Sequence, residues 1–579
     1  MNLVFDIETD DLDASIIWCI VALDVDTKEV HTFNPSEIDQ GIMFLSKADK
    51  LIGHNIIGFD IPVINKLKNV NLFDKKIVDT LVLSRLFNPT REGGHSLESW
   101  GYRLGHNKLE FKEFKEHSNE MLTYCINDVE LNYRVYNKLK EESRGFSQQS
   151  IELEHDVMKI VCQQREHGFL LDERKAMLLV SELEEKLNET TKEVRKVFKP
   201  KVEEHMLRPR YNNDGSLSKF ANCRQLKKRV RLTEDEYKEM SISKKVKRCI
   251  KTDFNLGSRK QIGEYLIDFG WKPKKFTPTN QPMVDEKILQ GIKDIPQATL
   301  IATYLMLQKR IAQVSSWLKE LKDGRIHGYV NPNGTITGRM THSNPNTGQI
   351  PSTRAEYGKE CRSCWTVPKG YKLCGIDASQ LELRMLAHYM NDKEYTNEII
   401  NGDIHTTNQK LAGLKSRDQA KVFIYALCYG AGSRKLSTIL GGSVKDAERI
   451  RDSFLYNLPS FRDLKDRVGR ASKKGFLKGI DNRKLIVRSE HAALNTLLQG
   501  AGSIVMKQAL VLFNHYIRDL DAKIVANVHD EWQVEVKEDQ AEEVGKRGVQ
   551  AIIDTAPILK LNCPLDGAYN VGDNWSETH

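Results

Sequence analysis

The sequence predicts a multidomain chain, with an α/β domain at its N-terminus and an α+β region behind it. Three observations carry this. The 579 residues, at roughly 150 per domain, make three to four domains, each large enough for its own core. Residues 1 to about 145 alternate short β-rich runs (Leu3 to Ile7, Ile16 to Asp24, Lys50 to Ile52) with helical patterns. From about residue 350 onward the chain reads as strand, long helices, then strand again. A composition of 29% charged and 40% hydrophobic residues is that of a globular protein and excludes a disordered chain or a miniprotein.

Between these regions, residues 150 to 199 turn long and helical. Glu, Lys and Leu dominate Lys175 to Phe198, and Pro200 closes the run. Lys201 to Asp253 then holds 15 Lys or Arg against 8 Asp or Glu, a surplus of +7 in a chain whose net charge is +8. Its clusters Lys227-Lys228-Arg229 and Lys244-Lys245-Val246-Lys247-Arg248 suit a polyanion such as nucleic acid, and a solvated insertion fits the charge equally well. Mixed helices follow to about residue 322, then a Gly-, Asn- and Pro-rich loop region, Asn331 to Pro351.

No apolar run approaches the ~20 residues of a membrane span, and no basic leader precedes Leu3. The ten cysteines are scattered, and Cys361 and Cys364 form the one CxxC, without the second pair a zinc site needs. Reduced thiols in a cytoplasm are expected.

The chemistry begins in Phe5-Asp6-Ile7-Glu8-Thr9, where a strand places Asp6 and Glu8 on one face. Two carboxylates side by side repel unless a cation lies between them. Asp60 ends Gly53-His54-Asn55-Ile56-Ile57-Gly58-Phe59-Asp60, and Tyr124 and Asp128, four apart, share a helix face. Singly each acid is a surface residue or a helix cap. As a set, four acids and a tyrosine suit hard divalent ions bound through oxygen, with which a water can be activated against a phosphodiester.

A second pair of acids lies far along the chain. Lys372 to Ile376 reads as a strand that ends in Asp377 and enters a helix, Asp377-Ala378-Ser379-Gln380-Leu381-Glu382-Leu383-Arg384. Ile524 to Val528 and Gln533 to Val536 read as two strands whose hairpin tip, His529-Asp530-Glu531, could present Asp530 to Asp377. Between them Ser416 with Gln419 predicts a capping box opening a helix. On that helix Arg417, Lys421, Tyr425 and Tyr429 recur every four residues as one stripe. Two cations followed by two aromatics suit a triphosphate followed by a sugar and base.

The first set resembles the DEDD-type 3′→5′ proofreading exonuclease, in its tyrosine variant, attached to family A DNA polymerases. The stretches Asp79 to Leu86 and Leu97 to Leu104 resemble its phage members. The later segments resemble motifs A, B and C of the same family, most closely in the replicative polymerases of T-odd, podovirus-type phages. Asp377 to Tyr389, Asn401 to Thr406, Arg417 to Gly432, Arg488-Ser489 and His491 to Gln499 carry that likeness, which spans most of the chain.

The resemblance implies a ribonuclease H-like exonuclease domain (1–145) followed by a right-hand polymerase. The hand comprises a thumb (146–330) with a basic insertion at about 200–253, a palm in two parts (331–394 and 501–579) and fingers (395–500). It implies a DNA-templated DNA polymerase that replicates phage DNA in the cytoplasm of an infected bacterium, without the 5′-nuclease domain of bacterial polymerase I. Two Mg²⁺ per site, or Mn²⁺ in their place, would be held by Asp6, Glu8, Asp60 and Asp128 in one site and by Asp377 and Asp530 in the other.

By the same resemblance Tyr124 would orient the attacking water. Arg417, Lys421 and His405 would contact the triphosphate, with Lys421 also a candidate acid for pyrophosphate. Glu382 with Tyr425 would exclude a 2′-hydroxyl, and Tyr at position 425 implies weak discrimination against dideoxynucleotides. Arg339, Gln499 and His529 would probe the minor groove, where acceptors are shared by every correct pair. Tyr429 would stack near the templating base, and Glu531 would support the metal acids. The implied partners are primer-template DNA, dNTPs, a helicase-primase, and host thioredoxin or another processivity factor, thioredoxin being recruited by a thumb insertion in some phage relatives. A single-subunit RNA polymerase and a non-enzymatic DNA-binding scaffold are the alternatives. The exonuclease set and Glu382 argue against the first, and the intact acids against the second.

Overall fold

The computed structural model describes residues 1–223 and 228–579. Arg224, Gln225, Leu226 and Lys227, the last a member of the first basic cluster, lie outside the described residues. The chain divides into two compact units, residues 1–173 with 320–579, and residues 174–319. The boundaries expected at 146 and 330 both fall inside the first unit.

At the start of the first unit is a five-stranded sheet in the order Val30–Phe33, Ile17–Asp24, Asn2–Thr9, Lys50–Gly53, Lys76–Asp79. The first three strands pair antiparallel, and the last two run parallel to the central one. Burial on both faces explains why these strands read as unbroken apolar runs. Leu3, Phe5 and Ile7 join one core. Val4, Val21 and Ile52 face Cys125 and Val129 of helix Asn119–Glu142 in another. Asp6 and Glu8 share the parity of Val4, so two carboxylates interrupt a face that is otherwise sealed under this helix.

Later in the same unit lies a four-stranded antiparallel sheet in the order Ala522–Val528, Glu531–Lys537, Tyr371–Ala378, Gly567–Gly572. Helix Ala541–Ile558 packs close against it because it carries glycine where it crosses. A Cβ on Gly548 would lie 2.5 Å from Ile376, and one on Gly545 would lie 2.2 Å from Tyr569. Helix Ala493–Tyr516 also packs here. With the turn before it, this helix is long and apolar enough to cross a membrane, contrary to the expectation that no run approaches that length. In the fold 72% of its most apolar window is buried. Between the strands, Lys393–Asn401, Ile404–Ala412, Arg417–Cys428, Ser433–Leu440, Val444–Asn457 and Pro459–Ser472 form a helical region.

Helix Gln148–His167 touches both sheets' surroundings. His155 Nε2 accepts the Asp79 N–H at 2.9 Å. One residue earlier, the fully buried Glu154 accepts from Lys507 Nζ at 2.7 and 2.8 Å, from Arg483, and from Asn333 Nδ2 at 2.8 Å. Asp481 pairs with Arg483 at 2.7 Å, so two anions and two cations balance inside the core. Removing any one would leave a buried charge uncompensated, which costs about 3–5 kcal/mol.

In the second unit, Phe198 stacks on Phe254 (4.6 Å, 20°), and both pack with Tyr265, Leu266 and Ile301. The basic segment, for which the sequence suggested no elements, is a separate small fold. Strands Val246–Thr252, Lys201–Arg208, Phe220–Cys223 and Lys228–Arg231 form an antiparallel sheet in that order, with helix Glu234–Ser243 on one face. Leu207, Ala221, Cys223, Leu232, Met240 and Val246 make its core. The helix starts at a reciprocal capping box formed by Thr233 and Glu236.

Candidate active sites

The structure brings the five N-terminal residues into one cluster, in which Asp6 feels Asp60, Glu8 and Asp128, and Tyr124 feels Asp128 and Glu8. The ligand atoms of Asp6, Glu8 and Cys125 lie within 4.8 Å of one another. Asp60, the first residue of helix Asp60–Lys68, accepts the Ile7 N–H at 3.2 Å. Its approach loop is fastened by Asp79, whose carboxylate accepts from the N–H groups of Asn55 and Ile57 at 3.0 and 3.1 Å. Asp128 and Tyr124 sit one turn apart on helix Asn119–Glu142, and Asp128 Oδ1 is buried with no hydrogen-bond partner.

Burial, then Asp60, Glu8 and Asp128, push the Asp6 carboxyl well above the carboxylate range. Burial, then Cys19 and Asp128, raise Glu8 to about 9, and burial raises Asp60 to about 7. Tyr124 is raised to about 12, chiefly by burial. A cluster of acids that resists ionisation and keeps an orphaned oxygen fits a divalent cation, which would satisfy the oxygen and reverse the shifts.

Without metal the folded state keeps protons that the unfolded chain has released, so stability falls as pH rises from the ordinary carboxylate range through about 9. Thermal melts in chelator between about pH 5 and 9 check this. At the alkaline end Glu8→Gln should melt higher than the parent, by about 2–4 °C for each kcal/mol relieved, and divalent cation should narrow the difference.

In the second site Asp377 pairs directly across from Glu531, and the Ala378 N–H donates to the Asp530 carbonyl at 3.1 Å, which holds the hairpin tip against the strand end. Burial, then Asp530 and Glu531, raise Asp377 to about 7. The tip turns through His529, whose φ is +59°.

Helix Arg417–Cys428 lies beside this pair. Ser416 caps it by accepting the Gln419 N–H, which is half of the expected capping box, and Tyr429 stands just past its last turn. Arg417 is held by Asp403 at 2.6 Å, and the rings of Tyr425 and His405 are 6.4 Å apart. Burial, then Arg417 and Lys421, push His405 below its ordinary range, leaving a neutral ring whose Nδ1 is buried without a partner. Burial, then Glu382, Cys428 and Asp530, raise the Tyr425 hydroxyl to about 12, so the aromatic end of the stripe lies within the field of the acids.

Glu382 receives Arg339 Nη2 at 3.0 Å and the Tyr429 hydroxyl at 2.6 Å. Its hydrogen bonds therefore run to Arg339 and Tyr429 rather than to Tyr425. Arg339, Glu382, His529 and Asp530 line one small cavity. Gln499 is half-buried on helix Ala493–Tyr516, one turn before Ser503, whose hydroxyl donates to the Gly338 carbonyl at 2.6 Å. That places Gln499 on the helix face toward the Arg339 loop.

The model of DNA polymerase family A matches residues 223–577. The chain belongs to DNA polymerase family A. The DNA-directed DNA polymerases of Enterobacteria phage T3 and Escherichia phage T7 are each 31% identical to it, with all of both chains covered. Among solved structures, the POL domain of Pol1 from M. smegmatis, in complex with DNA primer-template and dNTP, superposes with a TM-score of 0.79. That match is 20% identical and covers 100% of this chain and 95% of that one, so it bears on the fold alone.

Three residues of this family A chain were not singled out from its sequence. Lys108 reaches Asp128 Oδ2 at 2.6 Å and lies 4.7 Å from the centre of the Tyr124 ring. Burial opposes its charge, but the Asp128 carboxylate holds its ammonium above the ordinary range. Nothing local in Asn107-Lys108-Leu109 marks it. Trp575 Nε1 donates to Glu531 Oε1 at 2.6 Å, and His579 Nδ1 meets Glu531 Oε2 at 2.5 Å. Burial pushes Glu531 up, yet these contacts and Arg362 hold it below its ordinary range. Its oxygens are thus already engaged, unlike those of Asp377.

Proposed function

We propose that this DNA-directed DNA polymerase of family A carries two reaction centres, nucleotidyl transfer from dNTPs to a primer 3′-hydroxyl at Asp377 and Asp530, and proofreading 3′→5′ hydrolysis at Asp6, Glu8, Asp60 and Asp128. The observation that carries the reading is the pair of separate acid clusters, each with carboxyls raised by burial and then by their own neighbours. Asp377 and Asp530 in one centre, and Asp6, Glu8, Asp60 and Asp128 in the other, would hold divalent metal, Mg²⁺ by the chemistry of the oxygen donors, which would supply charge to lower the pKa of the attacking oxygen and steady the leaving one.

In the polymerase centre the chain's own part is positioning and electrostatics. Arg417, released from Asp403, joins Lys421 and His405 on the triphosphate, where cationic and neutral donors offset charge developing on the leaving group. Glu382, fixed by Arg339 and Tyr429, closes the space beside the sugar, and Tyr425 forms its floor. Arg339, Gln499 and His529 donate to the shared minor-groove acceptors, and Tyr429 meets the template base. The strand order of the first sheet supports the ribonuclease H-like reading of residues 1–145. There Tyr124 orients the attacking water, and Lys108 keeps its hydroxyl and Asp128 in register. The helical region at 395–500 serves as fingers, the four-stranded antiparallel sheet as palm, and the second unit as thumb. The likeness to the T3 and T7 enzymes supports replication of phage DNA in an infected bacterium, with a helicase-primase ahead of the polymerase.

Incubating a 3′-labelled, mispaired primer-template with Mg²⁺ tests both centres. Without dNTPs the label should leave as mononucleotide, and with dNTPs a matched primer should grow, while rNTPs should not be used. Extension without any release of label would leave the first cluster without its proposed reaction. Tyr425→Phe should raise discrimination against dideoxynucleotides at least tenfold, about 1.4 kcal/mol, as read by competition between dNTP and ddNTP.

A further inference from the structure

We propose that the open face of the four-stranded sheet in residues 201–252 binds the phosphodiester backbone of DNA. The face is defined by register. Paired residues point to the same side, and Lys247 with Met206, Cys249 with Glu204, Lys251 with Val202, Arg208 with Asn222 and Arg229, and Phe220 with Arg231 are pairs. The opposite side, with Leu207, Ala221, Cys223 and Val246, is closed by helix Glu234–Ser243. The open side therefore has no core to build.

Its composition matches a polyanion. Arg208, Arg229, Arg231, Lys247 and Lys251 are all exposed and face a single acid, Glu204. Lys247 pairs with that acid at 3.1 Å, whereas Arg208, Arg229 and Arg231 form no ion pair among the described residues. Arg208 and Arg229 stand two strands apart, roughly 10 Å, so the cations are spread over the sheet instead of gathered at one point. Phe220 is 45% exposed among them, a flat apolar surface on which a base can stack. A protein partner fits poorly, because the buried centres of such interfaces are depleted in charge, and in lysine particularly.

The inference takes from the polymerase reading only that DNA is present. Its test uses the full chain with Arg208, Arg229, Arg231 and Lys247 all changed to Gln, and measures affinity for a duplex primer-template and for a single strand at rising salt. Each lost phosphate contact should flatten the plot of log affinity against log salt, by about 0.9 on duplex or about 0.7 on a single strand. The probe that responds identifies which form of DNA the face holds. Single-nucleotide extension at saturating DNA should be unchanged, which separates this surface from the reaction centre. A companion with Lys at the three Arg positions should keep the parent slope. Equal slopes for parent and Gln variant on both probes would overturn the proposal. So would a companion as flat as the Gln variant, or a processivity loss seen only when thioredoxin is added.

Discussion

Asp377→Ala should lower primer extension by at least about 10³-fold and leave release of 3′-terminal nucleotides within about twofold. Asp377 ends the central strand of its sheet, and its hairpin neighbour Asp530 is fastened to it by the Ala378 to Asp530 backbone hydrogen bond. Glu531, paired across from Asp377 in the sheet, is committed to Trp575 and His579 and so is poorly placed to take over. Loss of the carboxylate removes binding for charge that exists only as the new bond forms, so kcat should fall more than dNTP affinity. Single-turnover extension and label release, measured on the same preparation, check both halves. A parallel loss of nucleotide release would show that the two clusters are one functional unit.

Asp6→Ala should give the converse, a loss of nucleotide release of at least about 10³-fold with extension retained. Asp6 lies among Asp60, Glu8 and Asp128, and burial, then their repulsion, raises its carboxyl well above the carboxylate range, so its ionisation depends on a neighbouring cation. The variant should also accumulate mispaired termini, because extension continues where hydrolysis no longer competes. Its metal-free melting temperature should rise, since one of the mutually repelling carboxyls is gone. A variant that melts lower while losing release would point to damage of the fold instead.

Much of this was legible because the chemistry is carried by short-range pattern. Asp6 and Glu8 share a strand face by parity, Tyr124 and Asp128 a helix face by spacing, and His529-Asp530 breaks two apolar strands as a hairpin must. Lys108 was not legible, since it reaches Asp128 from a segment of no regular structure and only the fold supplies its address. Trp575 and His579 escaped for the same reason, lying more than forty positions from Glu531 by chain. The sheet of residues 201–252 escaped differently. Its alternation is of small or polar inward residues, His205, Ala221 and Cys223, against long cations outside, so charge hid the period of two. The membrane-length helix shows the opposite error, in which alanines and glycines such as Gly500 and Gly502 let an apolar segment pass as ordinary core.

Helix Gln148–His167 has a consequence for how a primer end moves. Its adjacent residues Glu154 and His155 are locked to opposite sides, one into the Lys507 and Arg483 network and the other to Asp79 behind the first acid cluster. A strut bonded at both sides keeps the spacing between the clusters fixed. On the proposed reading of the two clusters, the primer strand covers that interval by unpairing its last bases. The proposed hydrolysis should then be paced by how readily the terminus frays, with label released faster from A·T-rich and mispaired ends than from matched G·C-rich ones.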